Sequence, residues 1–199
     1  MREPLDVNFC DLERGTKFYA GAVITEFPVA RLIAREEFQG RTAINEPRVT
    51  TYADQYRRGS DGPPIKVATY NGLWFIIDGF HRKHALTEVG RHNAPKIEIV
   101  ATSRTGAFAQ ASMANLQHGV PLTGAAYKKL LVQYIAGGRH IAQRRKLGVI
   151  VYKSFEEIAG DFNQIRSAST YRRWIQRRHP NVYRRMVAGA DPLPKLAGS

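Results

Sequence analysis

The sequence predicts an α+β protein: a small mixed sheet with helices, followed by an all-helical, helix-turn-helix-like C-terminal part. Three observations predict it. Short apolar and β-branched runs at 23–33, 65–70, 73–77 and 96–101 are bounded by glycine, proline and asparagine and read as strands. Between them, 47–59 and 80–90 carry apolar residues at helical spacing. From Thr123 onward only helical patterns are read.

A chain of 199 residues with 43% hydrophobic content can bury a real core as one domain or two small ones. The net charge of +13 points to polyanions, nucleic acid first and a membrane surface second. From Arg139 to Arg185 twelve lysines and arginines stand against Glu156, Glu157 and Asp161, a net of +9, so most of the excess lies in the last third. No apolar run approaches membrane-spanning length, and Met1 to Phe18 lacks the pattern of a secretory signal, so membrane insertion is not expected. The only cysteine, Cys10, excludes an intramolecular disulfide and a multi-cysteine metal site, which suits a reducing cytoplasm. Cys10 reads as an inert residue near the terminus.

Taken in order, 1–22 has no sustained periodicity and reads as a loosely attached lead-in. Val23 to Ile33 reads as an edge strand running into a turn, because Pro28 would interrupt a central ladder. Pro47 suits a first helical turn, and Val49, Tyr52, Ala53 and Tyr56 form one apolar stripe before Gly59. Ser60 to Pro64 is a loop. Ile65 to Tyr70 and the run from Leu73 to Ile77 are strands joined by Asn71-Gly72 as a tight hairpin. Lys96 to Ala101 is a further strand, and Ser103 caps a helix carrying Phe108, Ala111, Met113 and Leu116 that ends near His118-Gly119. Helices then follow over Tyr127 to Ala136, Ile141 to Leu147 and Ser154 to Phe162, the last opened by a Ser154–Glu157 capping box. After a turn at Asn163 to Ser167, a helix faces Tyr171, Trp174 and Ile175 inward and turns Arg172, Arg173, Arg177 and Arg178 elsewhere, until Pro180 stops it. Domains are expected at 23–119 and 120–190, with a tail at 191–199.

The chemistry concentrates where the strand ending in Ile77 turns through Asp78-Gly79 into a helix. Such a turn exposes unpaired N–H groups and the positive end of the helix dipole, an anion site before any side chain is counted. His81, Arg82 and Lys83 place cations in the first turn, where the dipole prefers carboxylates, and this points to a bound phosphate. Arg82 is expected to face that site rather than the core. The alternative is a surface ion pair of Arg82 with Asp78 or Glu88. Asp78 and Glu88 are also the weak candidates for metal binding.

Three stretches carry a resemblance. Pro63-Pro64-Ile65-Lys66-Val67, the hairpin and Asp78-Gly79-Phe80-His81-Arg82 resemble the ParB/sulfiredoxin fold, in which a proline-led strand precedes a strand ending in a glycine-initiated helix with His-Arg or Arg-Arg. Arg48 to Gln55 is similar to the sulfiredoxin helix that contacts nucleotide, and Ala114-Asn115-Leu116-Gln117-His118 resembles the ParB signature that begins Glu-Asn-Leu-Gln-Arg. The resemblance spans roughly 24–131. It implies a phosphate site of Gly79, His81, Arg82 and Lys83, nucleotide contacts from Arg48, Thr51 and Gln55, and a triphosphate and metal contact from Asn115. Phe80 stands where sulfiredoxin has its cysteine, so sulfinic-acid repair is excluded. Ala114 and His118 replace a glutamate and an arginine of ParB, which puts its metal coordination and nucleotide clamp in doubt.

Small, basic, plasmid-encoded members of this fold imply a DNA-directed enzyme with ATPase and DNase activity that acts against transfer of single-stranded T-DNA by a secretion system. On that reading ATP or another nucleoside triphosphate binds with Mg²⁺, and Arg82 and His81 act in catalysis. Arg166, Arg172, Arg173, Arg177 and Arg178 then hold DNA, duplex or single-stranded, and the secretion or conjugation machinery is a partner. The alternative is a non-enzymatic ParB-like partition factor or transcription regulator reading DNA through Thr170 to Arg178. A basic helix hairpin that is merely solvated is the bland counterpart of both.

Overall fold

A computed structural model describes residues 6–12, 16–39, 44–117, 124–144 and 149–188. The chain divides into two compact units, Met1–Gly137 and Gly138–Ser199, so the boundary falls after the helix that the sequence assigned to the basic region.

In the first unit a six-stranded mixed sheet has the order β1-β2-β6-β4-β5-β3, with β1 Asp6–Asn8, β2 Val23–Pro28, β3 Leu32–Ile33, β4 Ile65–Tyr70, β5 Leu73–Asp78 and β6 Asn93–Ala101. The Asn71-Gly72 hairpin pairs β4 with β5 antiparallel, Tyr70 opposite Leu73, and both turn residues take positive φ, 53° and 71°. β5 lies between β4 and β3 and is buried from Trp74 to Ile77, which is why it reads as a continuous apolar run.

Two apolar faces sandwich the sheet. Helices α1 (Glu46–Arg57) and α2 (Phe80–Glu88) cover one, bringing Val49, Ala53, Tyr56, Ala85 and Leu86 onto Ile65, Val67, Ile76, Ile97 and Ile99. Helix α3 (Arg104–Gln117) covers the other with Ala107, Phe108 and Ala111 against Phe75, Ile77 and Phe38, and α4 (Gly124–Ala136) packs on α3. A Cβ on Gly137 would lie 2.5 Å from the Ala109 amide, so glycine is what lets the end of α4 close on α3. Ser103 Oγ accepts from the Gly106 amide at 3.1 Å, the cap expected there. Met113, expected in the apolar stripe, is exposed, and His118-Gly119 lies outside the described residues.

Several expectations are corrected. Val23–Pro28 is not an edge strand: it runs between β1 and β6, and Pro28 is tolerated because β1 reaches only as far as Thr25. The lead-in is attached, since β1 pairs with β2 and Phe9 packs edge-on against buried Phe27 at 5.0 Å. In the second unit Ile141–Arg144 is not helical but a strand, β7, paired antiparallel with β8 (Ile150–Tyr152). Residues 145–148, the rest of that expected helix, lie outside the described residues. Helices α5 (Phe155–Asp161), α6 (Ala168–Arg178) and α7 (Pro180–Ala188) complete the unit, so Pro180 ends one helix and opens another. The tail at 191–199 lies outside the described residues.

Candidate functional site

At the carboxyl end of β5 the chain passes through Asp78 into Gly79, whose φ of +105° is a conformation that glycine alone adopts without strain. Gly79 opens α2 with no side-chain cap, and Lys83 N donates to its carbonyl at 3.0 Å. The guanidinium of Arg82 folds back over this glycine: a Cβ there would lie 2.8 Å from Nη2 and 2.9 Å from Nε. Glycine is therefore required twice at one position, for its dihedral and for its missing side chain.

Arg82 is buried, 6% exposed, where the sequence led to the expectation that it faces the site rather than the core. Its Nη2 donates to Asp78 Oδ2 at 3.4 Å, the ion pair weighed as the alternative, and its Cζ stands 5.9 Å from the centroid of the Tyr52 ring on α1. The pair is long and does not use the whole fork. Nε is buried without a hydrogen-bond partner, an arrangement whose cost a bound acceptor would remove.

The start of α1 meets the same corner. Asn45 caps α1 by accepting from Arg48 N at 3.1 Å, while its own amide donates to His81 Nε2 at 3.1 Å. His81 thus holds the first turn of α2 against the cap of α1, and the positive ends of two helix dipoles share one place. By sequence, Tyr52 falls only in the apolar stripe of α1 and Asn45 is given no role. The signal for Asn45 was present, an asparagine two residues ahead of a first-turn proline.

The remaining expected residues fall as follows. Arg48, Thr51 and Gln55 stand at i, i+3 and i+7 on α1 and are exposed, although the Thr51 hydroxyl donates into its own helix, to Pro47 O at 2.8 Å. Lys83 is half-buried in the first turn of α2. Asn115 falls in the last turn of α3, on the sheet face opposite α1 and α2. Asp78 and Glu88 do not act as a pair: Glu88 accepts from Arg57 Nη2 at 3.0 Å, and Arg57 also holds Asp54 at 2.8 Å. Among the described residues no group of three His, Cys, Asp or Glu side chains is placed to hold a metal ion.

The second unit builds a different surface. The Ser154–Glu157 capping box forms in both directions: Glu157 N donates to Ser154 Oγ at 3.1 Å and Ser154 N donates to Glu157 Oε2 at 2.7 Å, and hydrogen bonding from Ser154, its backbone amide first, holds the Glu157 carboxyl below its usual range. Between α5 and α6, Asn163 and Gln164 take φ of 54° and 55°, so an asparagine occupies the left-handed position often given to glycine. Ile158, Ala159, Phe162, Tyr171 and Ile175 are buried beneath, with Trp174 only half-buried. Ser169, Arg172, Arg173, Gln176 and Arg177 recur at i, i+3, i+4, i+7 and i+8 and form one exposed stripe along α6. Arg172 Nε donates to the Tyr183 hydroxyl of α7 at 3.2 Å, which fixes the edge of that stripe. Arg166 in the turn and Arg178 at the end of α6 are exposed as well. His140 is 7% exposed and stacks on Tyr152 at 5.8 Å; burial, then His179 and Arg144, lower its pKa to about 4.

No protein-family model matches the chain, and no curated protein does. Among solved structures it is similar to the C-terminally truncated chromosome-partitioning protein ParB from Caulobacter crescentus. In that protein's complex with the centromeric parS site, identity is 16% over 82% of this chain and 77% of the other, with a TM-score of 0.47. In its complex with CTP-γ-S, identity is 17% over 84% and 86%, with a TM-score of 0.42. Sulfiredoxin from Arabidopsis thaliana is 20% identical over 40% of this chain and 84% of its own, with a TM-score of 0.34. None of these likenesses assigns a residue a role. No helix among the described residues is long and apolar enough to cross a membrane.

Proposed function

We propose that this chain binds and hydrolyses a nucleoside triphosphate at the junction of α1 and α2 and binds DNA through the exposed face of α6, in the manner of the ParB/sulfiredoxin fold. One observation carries the reading: Arg82 Nε, buried and unpartnered, lies where the starts of two helices are tied together by the Asn45–His81 hydrogen bond. A phosphate there would gain two dipole ends and a guanidinium already in place. Arg48 and Gln55, exposed on α1, would meet the rest of the nucleotide, and Asn115 is the triphosphate contact that the resemblance implies. Mg²⁺ fits the site only as an ion held largely by the triphosphate itself, with Asp78, the carboxylate paired with Arg82, beside it.

DNA binding rests on the arginine stripe of α6 and on the net +9 of residues 139–185. Arginine and glutamine side chains on one helix face suit both phosphates and base edges. DNase activity, and action against T-DNA transfer through a secretion apparatus in the cytoplasm, as in the plasmid-encoded oncogenic suppression protein Osa, extend this reading by likeness of size and layout. Purified protein incubated with labelled ATP, CTP and supercoiled plasmid, with and without Mg²⁺, tests every part. Turnover of either nucleotide supports the junction site, and nicking supports the extension. DNA retention without nucleotide binding or cutting would leave the partition or regulator reading, which needs only α6.

A further inference from the structure

We propose that the cavity beside the amino-terminal end of β5 is a second ligand site, built for a small planar aromatic ring that carries a carboxylate or phosphate. It does not depend on the nucleotide reading above, because it lies at the other end of the strand. Trp74 lines it, whereas Gly79 begins α2 five residues on, and an extended chain covers about 16 Å over that distance. The cavity has a volume of about 650 Å³, in the range that holds small organic ligands.

Three features of its lining specify the ligand. Phe9, Phe18 and Trp74 form aromatic walls, Phe18 meeting Trp74 edge-on at 4.9 Å, and flat apolar walls select a flat apolar ring. Thr69 lies on the core face of β4, two and four residues after buried Val67 and Ile65, where an aliphatic side chain is the ordinary choice. It is only 8% exposed, and its side chain has no hydrogen bond among the described residues, so it supplies an unused polar group in an apolar wall. Among the described residues Arg31 is the one charged member of the lining and no carboxylate pairs with it, and its guanidinium is held 5.0 Å over the Phe9 ring. Aromatic walls, one buried hydroxyl and one uncompensated cation match a planar aromatic anion. An aromatic carboxylate and a nucleoside monophosphate share this chemistry, and the experiment separates them.

Trp74 and the single cysteine, Cys10, both line the cavity and act as reporters. In a Trp174→Phe protein, Trp74 is the only tryptophan of the chain's two, and its emission is titrated with benzoate, with thymidine 5′-monophosphate and with their neutral counterparts benzyl alcohol and thymidine. The expected result is saturable quenching by one of the two anions, about tenfold tighter than by its neutral counterpart. Arg31→Gln, at an exposed position, should bring the anion down to the level of the neutral compound while the melting midpoint stays that of the Trp174→Phe protein. On the unmutated protein, the same anion should slow alkylation of Cys10 by iodoacetamide. Whichever anion binds more tightly names the source. Absence of saturation with both anions, or equal affinity in Arg31→Gln, would overturn the proposal.

Discussion

At the scale of single residues, Arg82 and His140 carry the sharpest consequences. Because Arg82 is buried and paired, its removal acts on both stability and binding. Arg82→Ala should cost roughly 1–3 kcal/mol of stability by removing the ion pair with Asp78 and opening space under Tyr52. It should also weaken triphosphate binding by roughly one to two orders of magnitude, the worth of a charged hydrogen bond. Calorimetric melting and nucleotide titration on one preparation check both, and unchanged affinity at a lowered midpoint would reduce Arg82 to a structural ion pair. His140 makes a pH prediction for the second unit. Its pKa is lowered in the folded chain from 6.5 to about 4, so below pH 6.5 the unfolded chain binds the extra proton first. Stability should therefore fall as pH drops from 6.5 toward 4, by on the order of 3 kcal/mol for a shift of this size. His140→Phe, which keeps a flat ring over Tyr152, should flatten that dependence, as followed by melting between pH 7 and 4.

At the scale of elements, the start of α2 and the face of α6 are the two features to perturb. Gly79→Ala asks a side chain to sit 2.8 Å from Arg82 at a φ of +105°, so it should destabilise the first unit by about 1–3 kcal/mol and displace the guanidinium. A normal melting midpoint for this variant would show that the turn relaxes freely. On α6, Arg173 and Arg177 are exposed within the stripe, and each replacement by alanine should lower the slope of log affinity against log salt by about one if that side chain meets a phosphate. A loss confined to particular DNA sequences, with the slope kept, would identify the same arginine as a reader of base edges. Fluorescence anisotropy over a salt series distinguishes the two.

At the scale of the whole molecule, the two proposed binding sites fall in separate compact units. A chain ending at Gly137 keeps both apolar faces of the sheet, the α3–α4 packing and the α1–α2 junction, so it should fold cooperatively and keep its triphosphate affinity. It loses the net +9 of residues 139–185 and should lose salt-dependent DNA binding with it. DNA binding by this shortened chain with an unchanged salt slope would move the nucleic-acid surface to the first unit.

The sequence by itself determined the features that short-range chemistry encodes. These are the Asn71-Gly72 hairpin, the strand that turns through Gly79 into a helix, the Ser154–Glu157 capping box and the arginines set off from Tyr171 and Ile175 on α6. Each lies within a few residues of its partner, so spacing alone reveals it. Tertiary structure decided the rest. Whether Val23–Pro28 lies at an edge depends on a partner, Asp6–Asn8, too short to announce itself. Ile141–Arg144 is too brief for a period to tell strand from helix, and its pairing with Ile150–Tyr152 settled the matter. The burial of Arg82 and the bond from Asn45 to His81 join residues 36 positions apart, through helix packing on a sheet that no local pattern records. Residue type and spacing proposed an anion site at Gly79, and only the packing of α1 against α2 brought Asn45 and Tyr52 to that corner.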